Sequence, residues 1–93
     1  MEVKQKIETK VLRGTAGKVL RLDYCLLAQF DDLEKRLSGP YGMEIMLTEK
    51  EGMRQESCRN MTDDYRKAVA LIHVFASNSV TPISMLELIR DVR

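Results

Sequence analysis

Apolar and polar residues alternate along most of the first sixty positions. From residue 3 to 12, Val3, Ile7, Thr9 and Val11 point one way, and Lys4, Lys6, Glu8 and Lys10 point the other. A period of two is the pattern of a half-buried strand. Gly14-Thr15-Ala16-Gly17 interrupts it, and alternation resumes through Leu20, Leu22, Tyr24, Leu26, Ala28 and Phe30, with Arg21, Asp23, Cys25, Leu27 and Gln29 on the opposite face. Two alternating runs around a short glycine-bearing turn predict a β-hairpin. Residues 31–37, Asp-Asp-Leu-Glu-Lys-Arg-Leu, place acids before bases and leucines four apart. That order suits the helix macrodipole and predicts a short helix, closed by Ser38-Gly39-Pro40. Tyr41, Met43, Ile45 and Leu47 then alternate with Gly42, Glu44, Met46 and Thr48 as a third strand. Glu51-Gly52 is a turn, and residues 53–60 are polar on both faces, which suits an edge strand.

The period changes after residue 61. Thr62-Asp63-Asp64 supplies an N-cap, and Tyr65, Ala68, Val69, Ile72, Phe75 and Ala76 recur at three- and four-residue spacing. Leu71 and Val74 widen this apolar face, predicting a well-covered helix. Asn78-Ser79 breaks it. Thr81-Pro82 opens another helix, with Thr as cap and Pro at the first helical position, and its apolar side is Met85, Leu86, Leu88, Ile89 and Val92. The expected architecture is α+β over a single domain, 1–93: an antiparallel sheet of about four strands in two hairpins, followed by two C-terminal helices packed on one face.

Composition narrows the function. Fifteen Lys and Arg against fourteen Asp and Glu leave a formal charge of +1, without the basic excess common in nucleic-acid binders. The charge is unevenly spread, with six basic and three acidic side chains in residues 1–30 but four and seven in residues 31–56. Cys25 and Cys58 have no Cys-x-x-Cys spacing, no apolar leader is seen, and no run approaches the ~20 apolar residues of a membrane span. A cytoplasmic location with free thiols and no membrane partner is the expectation.

The chemical motifs are weak. His73 is the only histidine, and its helical neighbours Val69, Ala70, Ala76 and Ser77 offer no carboxylate or ligand. Gly14-Thr15-Ala16-Gly17-Lys18 lacks the spacing of a phosphate-binding loop and precedes a strand, whereas such loops need a helix N-terminus. Asp31-Asp32 and Asp63-Asp64 are explained by helix capping. The turns after Pro82 are apolar or acidic, unlike a DNA-recognition helix. No catalytic, cofactor-binding or metal-binding residue is nominated, and no cofactor is implied.

The segments Arg21–Leu27, Tyr41–Ile45 and Asn78–Asp91 together are similar to a family of short proteins of unknown function from Clostridia-like Firmicutes. In that family a Val-Thr-Pro step, here Val80-Thr81-Pro82, follows a helix and precedes a short acidic C-terminal helix. The resemblance spans roughly residues 5–92. It implies a cytoplasmic bacterial protein and transfers no functional residue.

Three functions follow in order. The first is a small non-catalytic protein-binding or regulatory module, with an unidentified protein or a second copy as partner; six methionines and a polar edge strand favour it. The second is weak nucleic-acid binding through a basic hairpin face of Lys4, Lys6, Lys10, Arg13, Lys18 and Arg21, which Glu8 and Asp23 interrupt. The third is a small-molecule binder or enzyme with a site at an oligomer interface, where Tyr24, Tyr41, His73 and Cys58 are the residues to locate.

Overall fold

A computed structural model describes residues 1–92, leaving the side chains of Thr15, Asp91 and Val92 outside the description. The expected apolar role of the Val92 side chain on the last helix therefore lies outside the description. Four strands, β1 (Glu2–Arg13), β2 (Val19–Asp31), β3 (Arg36–Glu49) and β4 (Gly52–Thr62), precede α1 (Tyr65–Ser77) and α2 (Pro82–Val92). The strands form one antiparallel sheet in the order β1-β2-β3-β4, so each pairs with its sequence neighbour. Both helices sit on one side, and the α+β architecture is the one the periodicities predict.

The core lies between that side of the sheet and the helices. Leu22, Tyr24, Leu26 and Ala28 of β2 and Tyr41, Met43 and Ile45 of β3 meet Ala68, Ile72, Phe75 and Ala76 of α1 and Met85 and Ile89 of α2. These strand residues are the alternating apolar sets of the sequence. Burying each large side chain contributes about 1.5–3 kcal/mol, and this closes the two layers. The molecule measures 51 × 28 × 17 Å. Strands of this length run ~40 Å, while the helices span ~20 Å or less, so the hairpin tips project past the helical layer.

Three expectations are corrected. First, residues 31–37 are not helical: a turn at 32–35 joins β2 to β3, and β3 already begins at Arg36. The Asp31 carboxylate accepts from the Leu33 and Glu34 amides at 2.8 and 3.2 Å, and Lys35 takes a positive φ of 54°. Leu33 is 95% exposed. A helix there has nothing to pack on, and strand pairing on both sides overrides local charge order.

Second, β1 does not keep one face. The register steps between Lys6 and Glu8, so Ile7 is the extra residue of a bulge. Beyond it Glu8, Lys10 and Leu12 oppose Tyr24, Leu22 and Leu20 on the helix side, while Thr9 and Val11 oppose Asp23 and Arg21 on the bare side. Thr9 and Val11 are thus reversed relative to the simple alternation.

Third, the helices are less covered than their sequences suggest. Val74 of α1 and Leu86 and Leu88 of α2 are exposed.

The helix junction follows local rules. Asp64 caps α1 by accepting from the Arg66 and Lys67 amides. At its end the Ser79 amide donates to Ala76 O and the Val80 amide to Phe75 O, both at 3.0 Å, with Ser79 at φ 51°. This is a Schellman ending with a serine in the left-handed position and Val80 buried behind it. Thr81 then caps α2, accepting from the Ser84 amide at 3.4 Å. In β3, Gly42 runs so close to β4 that a Cβ would strike the Cys58 carbonyl oxygen and lie 3.0 Å from Arg59 Cα.

Candidate functional site

The six basic residues of the N-terminal hairpin do not form one face. Lys4, Lys6, Arg13 and Arg21 lie on the helix-free side, Lys10 lies on the helix side opposite Leu22, and Lys18 is in the turn. The bulge at Ile7 is the cause. Three of the four on the bare side are held by acids. Lys4 Nζ sits 2.8 Å from Glu44 Oε2, Lys6 Nζ sits 3.5 Å from Asp23 Oδ1, and Arg21 Nε sits 3.2 Å from Asp23 Oδ2.

Asp23 and Glu44 are each only 6% exposed, although no helix covers this side. They stand on the central strands β2 and β3, and the long side chains around them lie across them. Glu44 also accepts from the Ser57 hydroxyl at 3.1 Å, and Asp23 from the Thr9 hydroxyl at 2.7 Å. Burial opposes ionisation of Asp23. The hydrogen bonds from Thr9 and Arg21, with the charges of Arg21 and Lys6, outweigh it and hold the carboxyl below its usual 3.8. The hydrogen bond and charge of Glu44 raise the Lys4 ammonium. Cys25, opposite both Lys6 and Glu44, is buried among these groups, and burial pushes its thiol up. A protonated, covered thiol is a poor nucleophile. This is a charge-paired sheet face.

The remaining chemical candidates stay apart. Cys25 is on the bare side and Cys58 in the core between sheet and helices, so the two free thiols occupy opposite faces. His73 finds the carboxylate its own helix lacks: its Nδ1 lies 2.8 Å from Glu8 Oε2 of β1, on an exposed surface. No local pattern could reveal this, because the partners are 65 residues apart and the bulge turns Glu8 toward the helices. Tyr24 is fully buried, and its hydroxyl donates to Val80 O at 2.9 Å. Tyr41 stacks edge-on against Tyr65 with ring centres 5.6 Å apart. Both tyrosines thus join sheet to helices. Among the described residues no group of three or more His, Cys, Asp or Glu could hold a metal ion. Among them, too, no helix is long and apolar enough to cross a membrane.

A different surface emerges on the helices. α2 buries Pro82, Met85 and Ile89, yet it exposes Ile83 (66%), Leu86 (44%) and Leu88 (40%). Between α1 and α2 runs an open groove of about 470 Å³, with Val74, Phe75, Val80 and Leu88 as apolar walls and Asn78, Ser79, Thr81 and Ser84 around its end. A helix that is aliphatic on several sides usually has neighbours on several sides. The sequence pattern signalled α2 but not which of its leucines face outward. A second depression, of about 590 Å³, lies between the hairpin tips and carries Lys18, Glu49, Lys50 and Glu51.

The comparisons agree with the resemblance at the level of a family. Residues 3–93 match the family of unknown function DUF6514, and the chain belongs to it. No curated protein and no solved structure matches the chain.

Proposed function

We propose that this DUF6514 chain is a small non-catalytic protein-binding module that receives an apolar strip of a partner protein, in the form of an amphipathic helix, in the groove between α1 and α2. One observation carries the reading: Val74 of α1 and Leu88 of α2, both on the walls of this groove, are 53% and 40% exposed. A groove between two helices matches the shape of a third helix, whose apolar residues at three- and four-residue spacing fill it. Covering Val74 and Leu88 contributes up to about 1.5–3 kcal/mol for each side chain fully buried. The polar groups of Asn78, Ser79, Thr81 and Ser84 at the groove's end suit the backbone or side chains of an incoming segment. A cytoplasmic setting, in which both cysteines stay as thiols, is part of this reading.

The test is capture of proteins from the native lysate on immobilised wild type and on a Val74→Glu, Leu88→Glu variant. Both substitutions are at exposed positions, so circular dichroism and thermal stability should be preserved. Loss of the captured protein from a folded variant is the expected outcome. Capture unchanged by the two glutamates refutes the groove as the docking surface.

A further inference from the structure

The two edges of the sheet differ in what they offer to another strand. β1 is interrupted by the bulge at Ile7 and carries Lys4, Lys6, Lys10 and Arg13, features that discourage edge pairing. β4 runs without a register shift from Gly52 to Cys58 against β3, and its outer edge bears no further strand. Within that stretch Arg54 and Glu56 oppose Leu47 and Ile45, so both lie on the helix side of the sheet. Both are exposed, and neither has an ion-pair partner among the described residues.

We infer that β4 is the self-association edge of the protein, pairing antiparallel with β4 of a second copy about a two-fold axis at Gln55. In this register each Arg54 stands opposite the partner's Glu56 and each Glu56 opposite the partner's Arg54. The two Gln55 amides meet at the axis on the other face. Met53 falls opposite the partner's Ser57, and Gly52 opposite the partner's Cys58. Opposite charges directly across an antiparallel pair are favourable, and like charges there are unfavourable. That selects the register. Sliding by two residues, the smallest step that keeps the helices of both copies on one side, sets Arg54 against Arg54 or Glu56 against Glu56.

The self-complementarity is what an isologous interface demands, since one patch must match itself after rotation. Two four-stranded sheets become one continuous sheet, and the exposed edge is removed. The same register carries Leu86 and Arg90, which flank Cys58 at this edge, beside the partner's Gly52 and its acidic neighbour Glu51. This surface is separate from the groove between α1 and α2, so the inference stands independently of the partner proposed above.

Sedimentation equilibrium and light scattering on the purified chain test it. The wild type should have twice the 10.7 kDa protomer mass at micromolar concentration. Glu56→Arg alone and Arg54→Glu alone should each weaken association at least tenfold. The exchanged pair, Arg54→Glu with Glu56→Arg, should restore it. An equimolar mixture of the two single variants should form heterodimers, because each then supplies the charges the other needs. A monomeric wild type overturns the inference. So does a dimer insensitive to either reversal, and so does a failure of both the exchanged pair and the mixture to recover. The Val74→Glu, Leu88→Glu variant should remain dimeric, so loss of protein capture and loss of dimerisation are read separately.

Discussion

Replacing Tyr24 by Phe removes one oxygen atom, and the structure sets what that costs. The Tyr24 ring is fully buried on β2, and its hydroxyl donates to Val80 O at 2.9 Å, where the chain passes from α1 to α2. Val80 is itself buried, so the vacated carbonyl gains little from water. A net hydrogen bond is worth about 0.5–1.5 kcal/mol, and a buried polar group left unmade costs about 1–3 kcal/mol, which places Tyr24→Phe near 1.5 kcal/mol. An unfolding entropy of about 2 cal/mol/K per residue gives ~0.2 kcal/mol/K for a chain of this size, so Tm should fall by about 8 °C. Urea unfolding should show a lower midpoint with an unchanged slope. Hydrogen exchange adds a local readout: amides of α2 should lose more protection than those of β2 or β3, because the lost bond ties the helix junction to the sheet. The phenol also titrates. Burial, with the nearby Glu8 charge, pushes its pKa from 10.0 up to about 12. A raised folded pKa means the contribution is complete below the unfolded value and disappears as pH rises from 10 through 12. Wild type should therefore lose stability across that window, and Tyr24→Phe should lack this component. A stability change under about 0.5 kcal/mol, or identical alkaline limbs in the two proteins, would show that the hydroxyl does not tether the helices.

Gly42→Ala should cost about 2–4 kcal/mol, because its Cβ meets the Cys58 carbonyl, a backbone atom unable to rotate away; a midpoint within experimental error of wild type refutes that close approach. Asp23→Asn should cost about 1–2 kcal/mol near neutral pH, since the carboxylate takes bonds from Thr9 and Arg21 and the charge of Lys6. A lowered folded pKa contributes above the ordinary value and is lost as pH falls below 3.8, so the stability gap between the two proteins should close on acidification; a gap that persists at pH 2 contradicts the pairing.

Local pattern was sufficient wherever one face of a strand is apolar throughout. Leu22, Tyr24, Leu26 and Ala28 on β2, and Tyr41, Met43 and Ile45 on β3, needed no partner to declare their side, because burying them is favourable in any two-layer packing. The cap at Asp64 and the start at Thr81-Pro82 were equally legible, since capping is chemistry between near neighbours. The polar β4 was placed at an edge for a similar reason: neither of its faces could be fully buried. Tertiary structure decided the rest. In β1 both faces are mixed, so alternation could not show where a residue would be inserted, and pairing with β2 put the bulge at Ile7 and sent Lys10 away from Lys4 and Lys6. At 31–37 the charge order of a helix yielded to two strands that must turn within a few residues. On α2, Met85 and Leu86 or Leu88 and Ile89 are alike in sequence, and only the position of the helix over β3 and β4 divides them into core and surface. Periodicity reports a residue's own side, whereas a binding surface depends on what the remainder of the chain leaves uncovered, and that is a property of the packed molecule.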